Sequence, residues 1–195
     1  GGMLFPMPAS TLGERIGVRK DTAEARVLAA VEIVMREPAE PWLIWCHLNS
    51  EADAIERLMP HCLQVAGRDP VDQKVSRLLG FKDGHPLHLC SKASIAGHGL
   101  NFQHCARVIF VGLTDSFESV YQAVRRSWRF GQTRPVTADV VWTEGEIRIK
   151  ERLRRKCARA DQMYTEIVAH MRRAQGVTID HSPIVVNIPR WLCQT

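Results

Sequence analysis

From residue 22 to residue 142 the chain alternates between two hydrophobic patterns. Short, largely apolar runs (Trp42–Leu48, Cys62–Ala66, Pro86–Cys90, Ala106–Leu113 and Val136–Trp142) predict buried strands. ARVIFVGL at 106–113 is the clearest, a continuous apolar, β-rich run. The segments between them have helical periodicity. Asp21 or Thr22 caps a helix to about Arg36, with Ala25, Leu28, Ala29, Glu32 and Met35 at helical spacing, and EPAEP breaks it. Ser50 opens a second helix, SEADAIERLM, and Pro70–Leu79 forms a third. Strands and helices joined by a few residues predict an α/β fold, a parallel sheet with helices on both faces.

A long helix is expected over about 146–173. Ile149, Leu153, Cys157, Ala160, Tyr164, Ile167 and Met171 form its apolar stripe, and Arg148, Lys150, Arg152, Arg154, Arg155, Lys156 and Arg159 line the other side. That basic side is either solvated or turned to a phosphate backbone or another domain. Residues 1–21 form an irregular lead-in, 22–173 the folded domain, and 174–195 an extended tail. The tail is expected to lie on the body, because exposing Ile184, Val185, Val186, Trp191 and Leu192 is costly.

The stretch YQAVRRSWRFGQTRP, residues 121–135, carries the strongest chemical signal. At about 100° per residue, Phe117, Val120, Tyr121, Val124 and Trp128 share one side of a helix, while Gln122, Arg126 and Arg129 share the other. Arg125 lies at the border, Gly131 is a natural C-terminal stop, and Pro135 prevents a restart. Guanidinium is permanently charged, planar and matched to phosphate oxygens. Two arginines near one helical turn apart suit a terminal phosphate; the bland reading is a solvated helix face.

Composition adds bounds. The 195 residues are 45% hydrophobic and 24% charged, with a net charge of +5 and a pI near 9.1. This mild basicity is compatible with a polyanionic partner without requiring one. The six cysteines include no CxxC pair and read as reduced, buried thiols. No apolar run approaches the roughly 20 residues of a membrane span. His88 and Cys90 share a strand face, but no second ligand pair has finger-like spacing, so no structural metal is expected.

A second motif, CSKASIAGHGLNFQ at 90–103, lies between two strands. Gly97 and Gly99 permit close backbone approach to a ligand, and Ser91, Lys92 and Ser94 supply donors suited to a phosphate backbone. An isolated GxG is more often a turn, and its place one strand before the arginines makes it informative.

SIAGHGLNF followed by QAVRRSWRFGQ resembles motifs V and VI of superfamily 2 helicases, most closely the Swi/Snf-type branch with its terminal R-x-G-Q. WLIWCHLNSEADAIERL resembles the motif IV strand and helix of that branch, and VAGRDPVDQKVSRLLGFKDG the strand–G–helix–F segment after it. The resemblance covers residues 22–173, and the aromatic-rich motif VI is most similar to compact DEAD/DEAH-box helicases of phages and prophages. Arg125, Trp128 and Ala96 depart from the branch's usual acidic residue, histidine and glycine.

The resemblance implies the second RecA-like lobe of an ATP-driven DNA helicase or translocase, in the cytoplasm of a bacterial or phage-infected cell. It implies that Arg126 and Arg129 are arginine fingers, that Gln122 couples ATP to motif V, and that Gln132 supports that loop. Gly97, Gly99 and Asn101 would lie near the nucleotide, and Lys92, Ser94, Asn49 and Ser50 would face DNA. The chain has neither a GxxxxGK[ST] phosphate loop nor a DExH or DEAD run to hold Mg2+. ATP and Mg2+ are therefore expected only with an N-terminal RecA-like lobe, supplied by the same polypeptide or by a partner, and this chain alone is not expected to hydrolyse ATP. The alternative is a stand-alone module that binds nucleic acid or another ATPase without turnover. A doubly wound sugar-nucleotide transferase explains the glycines but not the paired arginines.

Overall fold

The computed structural model describes residues 17, 20–96, 100–114 and 116–175. Five strands, β1 (Trp42–Cys46), β2 (Cys62–Val65), β3 (His88–Ser91), β4 (Arg107–Val111) and β5 (Thr137–Val141), pair in the order β2-β3-β1-β4-β5. Every pairing is parallel, with Trp42 in register with His88 on one side and Arg107 on the other. All five residues of β1 are buried, because the central strand is covered on both faces. Leu43 and Trp45 join a core with Leu89, Val108, Phe110, Phe81, Val120 and Val124. Trp42, Ile44 and Cys46 turn the other way, to Val27, Val34, Ile55, Ile109 and Val111.

Helices α1 (Ala23–Met35) and α2 (Asn49–Leu58) contribute to the second of these cores. Helix α3 (Val71–Lys82), the short α4 (Ala93–Ala96) and α5 (Phe117–Val124) contribute to the first. The single-turn α4 was not apparent from periodicity, since four residues are too few to display it. Helix α6 (Ile147–Gln175) places Ile149 and Leu153 against Leu113, Phe117 and Val140. Cys157 is also buried, whereas Tyr164, Ile167 and Met171 of the expected stripe, and the tail, lie outside the described side chains. Among the described residues no helix is long and apolar enough to cross a membrane.

A buried ionic cluster ties the loops at the C-terminal ends of β1, β4 and β5. Arg26, 1% exposed, places Nη2 2.5 Å from Glu51 Oε1 and Nη1 3.9 Å from Glu146 Oε2. Glu51 Oε2 accepts hydrogen bonds from the backbone of His47 and Leu48, at 3.0 and 2.9 Å. Glu146 accepts from Leu113 N and Thr143 N, both at 3.1 Å. Gly112, at φ +89, lets the chain pass beside this cluster; a Cβ there would meet Arg26 Nε at 3.2 Å.

Burial lowers the pKa of His88 and of His104. The unfolded chain takes up these protons near the ordinary histidine value of about 6.5, and the folded chain only at lower pH. Unfolded protein thus binds more protons in that window, and stability is expected to fall as pH drops below about 6.5. Urea midpoints measured from pH 7.5 to 5 check this; His88→Gln should flatten the acid limb.

Candidate functional site

The arginine segment departs from the ideal wheel. Helix α5 is capped by Ser116, whose side chain accepts from Ser119 N at 3.2 Å, and ends at Val124 rather than at Gly131. Beyond it the chain tightens into i→i+3 bonds, Arg126 N to Ala123 O at 3.2 Å and Ser127 N to Val124 O at 3.0 Å. Trp128 N keeps an i→i+4 bond to Val124 O at 2.9 Å. Arg126, bonded to Leu100 O and Phe102 N, is 8% exposed rather than on an open polar side, while Gln122 and Arg129 are exposed.

The Arg126 guanidinium is held by oxygen atoms without a full charge. Nε donates to Gln122 O at 3.2 Å, Nη2 to Gln122 Oε1 at 3.4 Å, and Nη1 to Leu100 O at 3.3 Å. Burial, then Arg129 and Arg125, lowers its pKa. Among the described residues no carboxylate forms an ion pair with Arg125, Arg126 or Arg129. Arg125 instead lies over the Trp128 ring at 5.2 Å. Arg134, part of the same cluster in sequence, is neutralised by Glu40 at 2.6 Å. A buried cation without a counter-charge is costly unless an anion supplies it. The arrangement is therefore suited to binding a multivalent anion.

The turn after the arginines is bonded to the segment entering β4. Phe102 N donates to Arg126 O at 2.7 Å, and Gln132 Nε2 to Gln103 O at 2.7 Å. Gln103 Nε2 in turn donates to Phe130 O. Gly131 sits at φ +94, a backbone conformation that favours glycine, and a Cβ there would displace the end of the Gln103 side chain, 2.9 Å away. Phe102 anchors the arrangement, fully buried and edge-on to Phe81 at 5.2 Å.

The structure thus brings Gln122, Arg126 and Gln132 together with Leu100–Gln103, and leaves Arg129 exposed beside them. Asn101 Oδ1 is buried there, with no hydrogen-bond partner among the described residues. Gly97 and Gly99 lie outside the described residues. Lys92 is half-buried and Ser94 exposed, just past the C-terminal end of β3, and Asn49 and Ser50 are exposed just past that of the adjacent β1. These four follow the C-terminal ends of β3 and β1, and the short α4 that carries Ser94 packs on α5 in the same core. The connection from Lys92 to Ala106 runs from the C-terminal end of β3 to the start of β4 and includes Lys92, Ser94 and the Leu100 carbonyl that Arg126 meets.

Sequence reasoning missed Gln103 and the Leu100 carbonyl, since a backbone acceptor and a neutral amide carry no motif. It also missed the pairing of Cys46 and Cys90, whose sulfurs lie 3.4 Å apart across β1 and β3. The five described cysteines are buried, and no disulfide joins them. The hydrogen bond with Cys46 and then burial push the Cys90 thiol well up, and burial pushes Cys105 up to about 12, so neither suits nucleophilic chemistry. No group of three or more potential metal ligands occurs among the described residues.

The profile of the helicase conserved C-terminal domain matches residues 25–131. No curated protein matches the chain. Among solved structures, it is similar to the C-terminal part of the Fun30 ATPase domain, with a TM-score of 0.57 and 18% identity over 65% of this chain and 44% of that one. The C-terminal domain of the DEAD-box protein Dbp5 gives a TM-score of 0.54 at 11% identity, over 64% of this chain and 73% of that one. Mss116p DEAD-box helicase domain 2, bound to an RNA duplex, gives 0.54 at 12%, over 67% and 53%. The chain spans less than half the length of the Fun30 structure. At such identities the likeness speaks to fold, and the sheet with its helices is RecA-like.

Proposed function

Since the chain belongs to the helicase conserved C-terminal domain family, we propose that it is the second motor lobe of an ATP-dependent DNA helicase or translocase of Swi/Snf type. The observation that carries this reading is Arg126, buried without a carboxylate and joined by the exposed, unpaired Arg129. In this role both guanidiniums face the γ-phosphate of ATP held by a first RecA-like lobe and neutralise charge as that phosphoryl group departs. Gln122 orients Arg126 through its carbonyl and side-chain oxygens. Gln132 and Gln103 fix the turn against the segment entering β4.

The donor set fits phosphate and does not fit a divalent cation: Arg129 and Arg125 are near enough to lower the pKa of Arg126, and no carboxylate cluster accompanies them among the described residues. Mg2+ therefore belongs with the first lobe. Lys92, Ser94, Asn49 and Ser50 would contact the strand backbone at the C-terminal ends of β3 and β1. The 92–106 connection would relay closure of the ATP cleft to that track.

The test is ATP turnover by this chain alone and by the polypeptide joining it to a phosphate-loop lobe, with single-stranded DNA, duplex DNA or RNA added. DNA-stimulated turnover only with both lobes supports the reading. Turnover by the lone chain, or an inert two-lobed protein, removes it, and stimulation by RNA alone moves the track from DNA to RNA. Binding to the strand is expected to weaken steeply with salt, because phosphate contacts release counterions.

A further inference from the structure

Phe130 is 100% exposed, although a side chain of that size ordinarily gains by burial. It does not lie on a loose loop. Its carbonyl accepts a hydrogen bond from Gln103, Gln132 N donates to Arg129 O at 3.0 Å, and Gly131 sits at φ +94 with Gln103 against it. The turn holds an exposed aromatic residue directly after Arg129, which has no ion pair among the described residues. Those features complement the two halves of a nucleotide, a flat base and a phosphate chain.

We propose that Phe130 stacks on the base of the nucleotide whose phosphates Arg126 and Arg129 face, an inference that rests on the motor-lobe reading above. Two observations favour a base over an apolar surface of the first lobe. Arg129, Gly131, Thr133 and Arg134 beside it in sequence are exposed and not hydrophobic, and Trp128 is half-buried. The other exposed large hydrophobics among the described residues lie on other segments, so this turn carries no run of exposed apolar side chains. A lone π-face suits a base, which offers one of its own. The nucleotide is favoured over a base of the DNA strand by position. Phe130 adjoins Arg129 in sequence, whereas Lys92, Ser94, Asn49 and Ser50 follow the C-terminal ends of β3 and β1.

The experiment measures steady-state ATP hydrolysis by the two-lobed polypeptide carrying Phe130→Ala, Phe130→Trp or neither, with inorganic tripolyphosphate as a base-free competitive inhibitor. Phe130→Ala is expected to raise KM for ATP about tenfold or more, the scale of one lost base–aromatic stack. It should leave kcat and the tripolyphosphate inhibition constant close to wild type, and Phe130→Trp should restore KM. The thermal midpoint should not move, since the residue is fully exposed. An unchanged KM overturns the proposal, as does an equal loss of affinity for ATP and tripolyphosphate, which would mark Phe130 as a contact between lobes. In either case an enzyme still dependent on Arg129 leaves the motor-lobe reading intact. A wild-type protein that does not hydrolyse ATP removes both.

Discussion

Arg129→Ala, made in the two-lobed polypeptide, is expected to reduce DNA-stimulated kcat by on the order of 10³-fold or more, the range of a lost arginine finger. That is ~4 kcal/mol of transition-state stabilisation. Arg129 is exposed and unpaired, so its removal should cost the fold little and leave strand binding unchanged. Arg126→Met should cause a loss of similar size through a different balance. Arg126 is a buried cation held only by the oxygens of Gln122 and Leu100, so an apolar replacement of similar length should not lower the thermal midpoint. Activity lost while stability is kept would distinguish functional arginines from structural ones. If both variants retain wild-type kcat, the arginine turn is not a finger site.

Arg26→Ala is expected to destabilise the fold by ~3–5 kcal/mol, because breaking a buried pair leaves charge without compensation. Glu51 and Glu146 would remain buried, each 1% exposed, without the guanidinium between them. The loss is a large part of a domain's ~5–15 kcal/mol. Urea unfolding read by circular dichroism gives the value directly. A change below about 1 kcal/mol would mean that water or a shifted side chain replaces the ion pair. Arg26 lies on α1, Glu51 on α2, and Glu146 just before α6, so the cluster couples segments distant in sequence.

The two buried arginines mark the limit of what local pattern reveals. Arg26 falls within a helix whose span was read correctly but whose face was not: Ala25, Leu28, Glu32 and Met35 of the expected spacing are exposed, and Arg26, Val27, Ala30 and Val34 are buried instead. The partners of Arg26 become neighbours only when β1, β4 and β5 align. For Arg126, an ideal wheel assigns the polar side, and the bonds to Leu100 O and Phe102 N override it. Sequence order did bring Gln122, Arg126, Arg129 and Gln132 into one group, because they occupy one short segment. Their attachment to Leu100–Gln103 depends on a carbonyl and an amide hydrogen from a segment that precedes β4, which carry no side-chain signature.

The alternation of apolar runs with helical periodicity was enough to determine the α/β class, the five strands and the helices between them. Burial on both faces of a parallel sheet writes itself into every residue of a strand such as WLIWC. The strand order β2-β3-β1-β4-β5 and the short α4 came only from tertiary structure. So did the burial of Arg126 and the exposure of Phe130. Periodicity reports how one segment meets water or the core, whereas charge pairing and carbonyl capture depend on which distant segment packs against it.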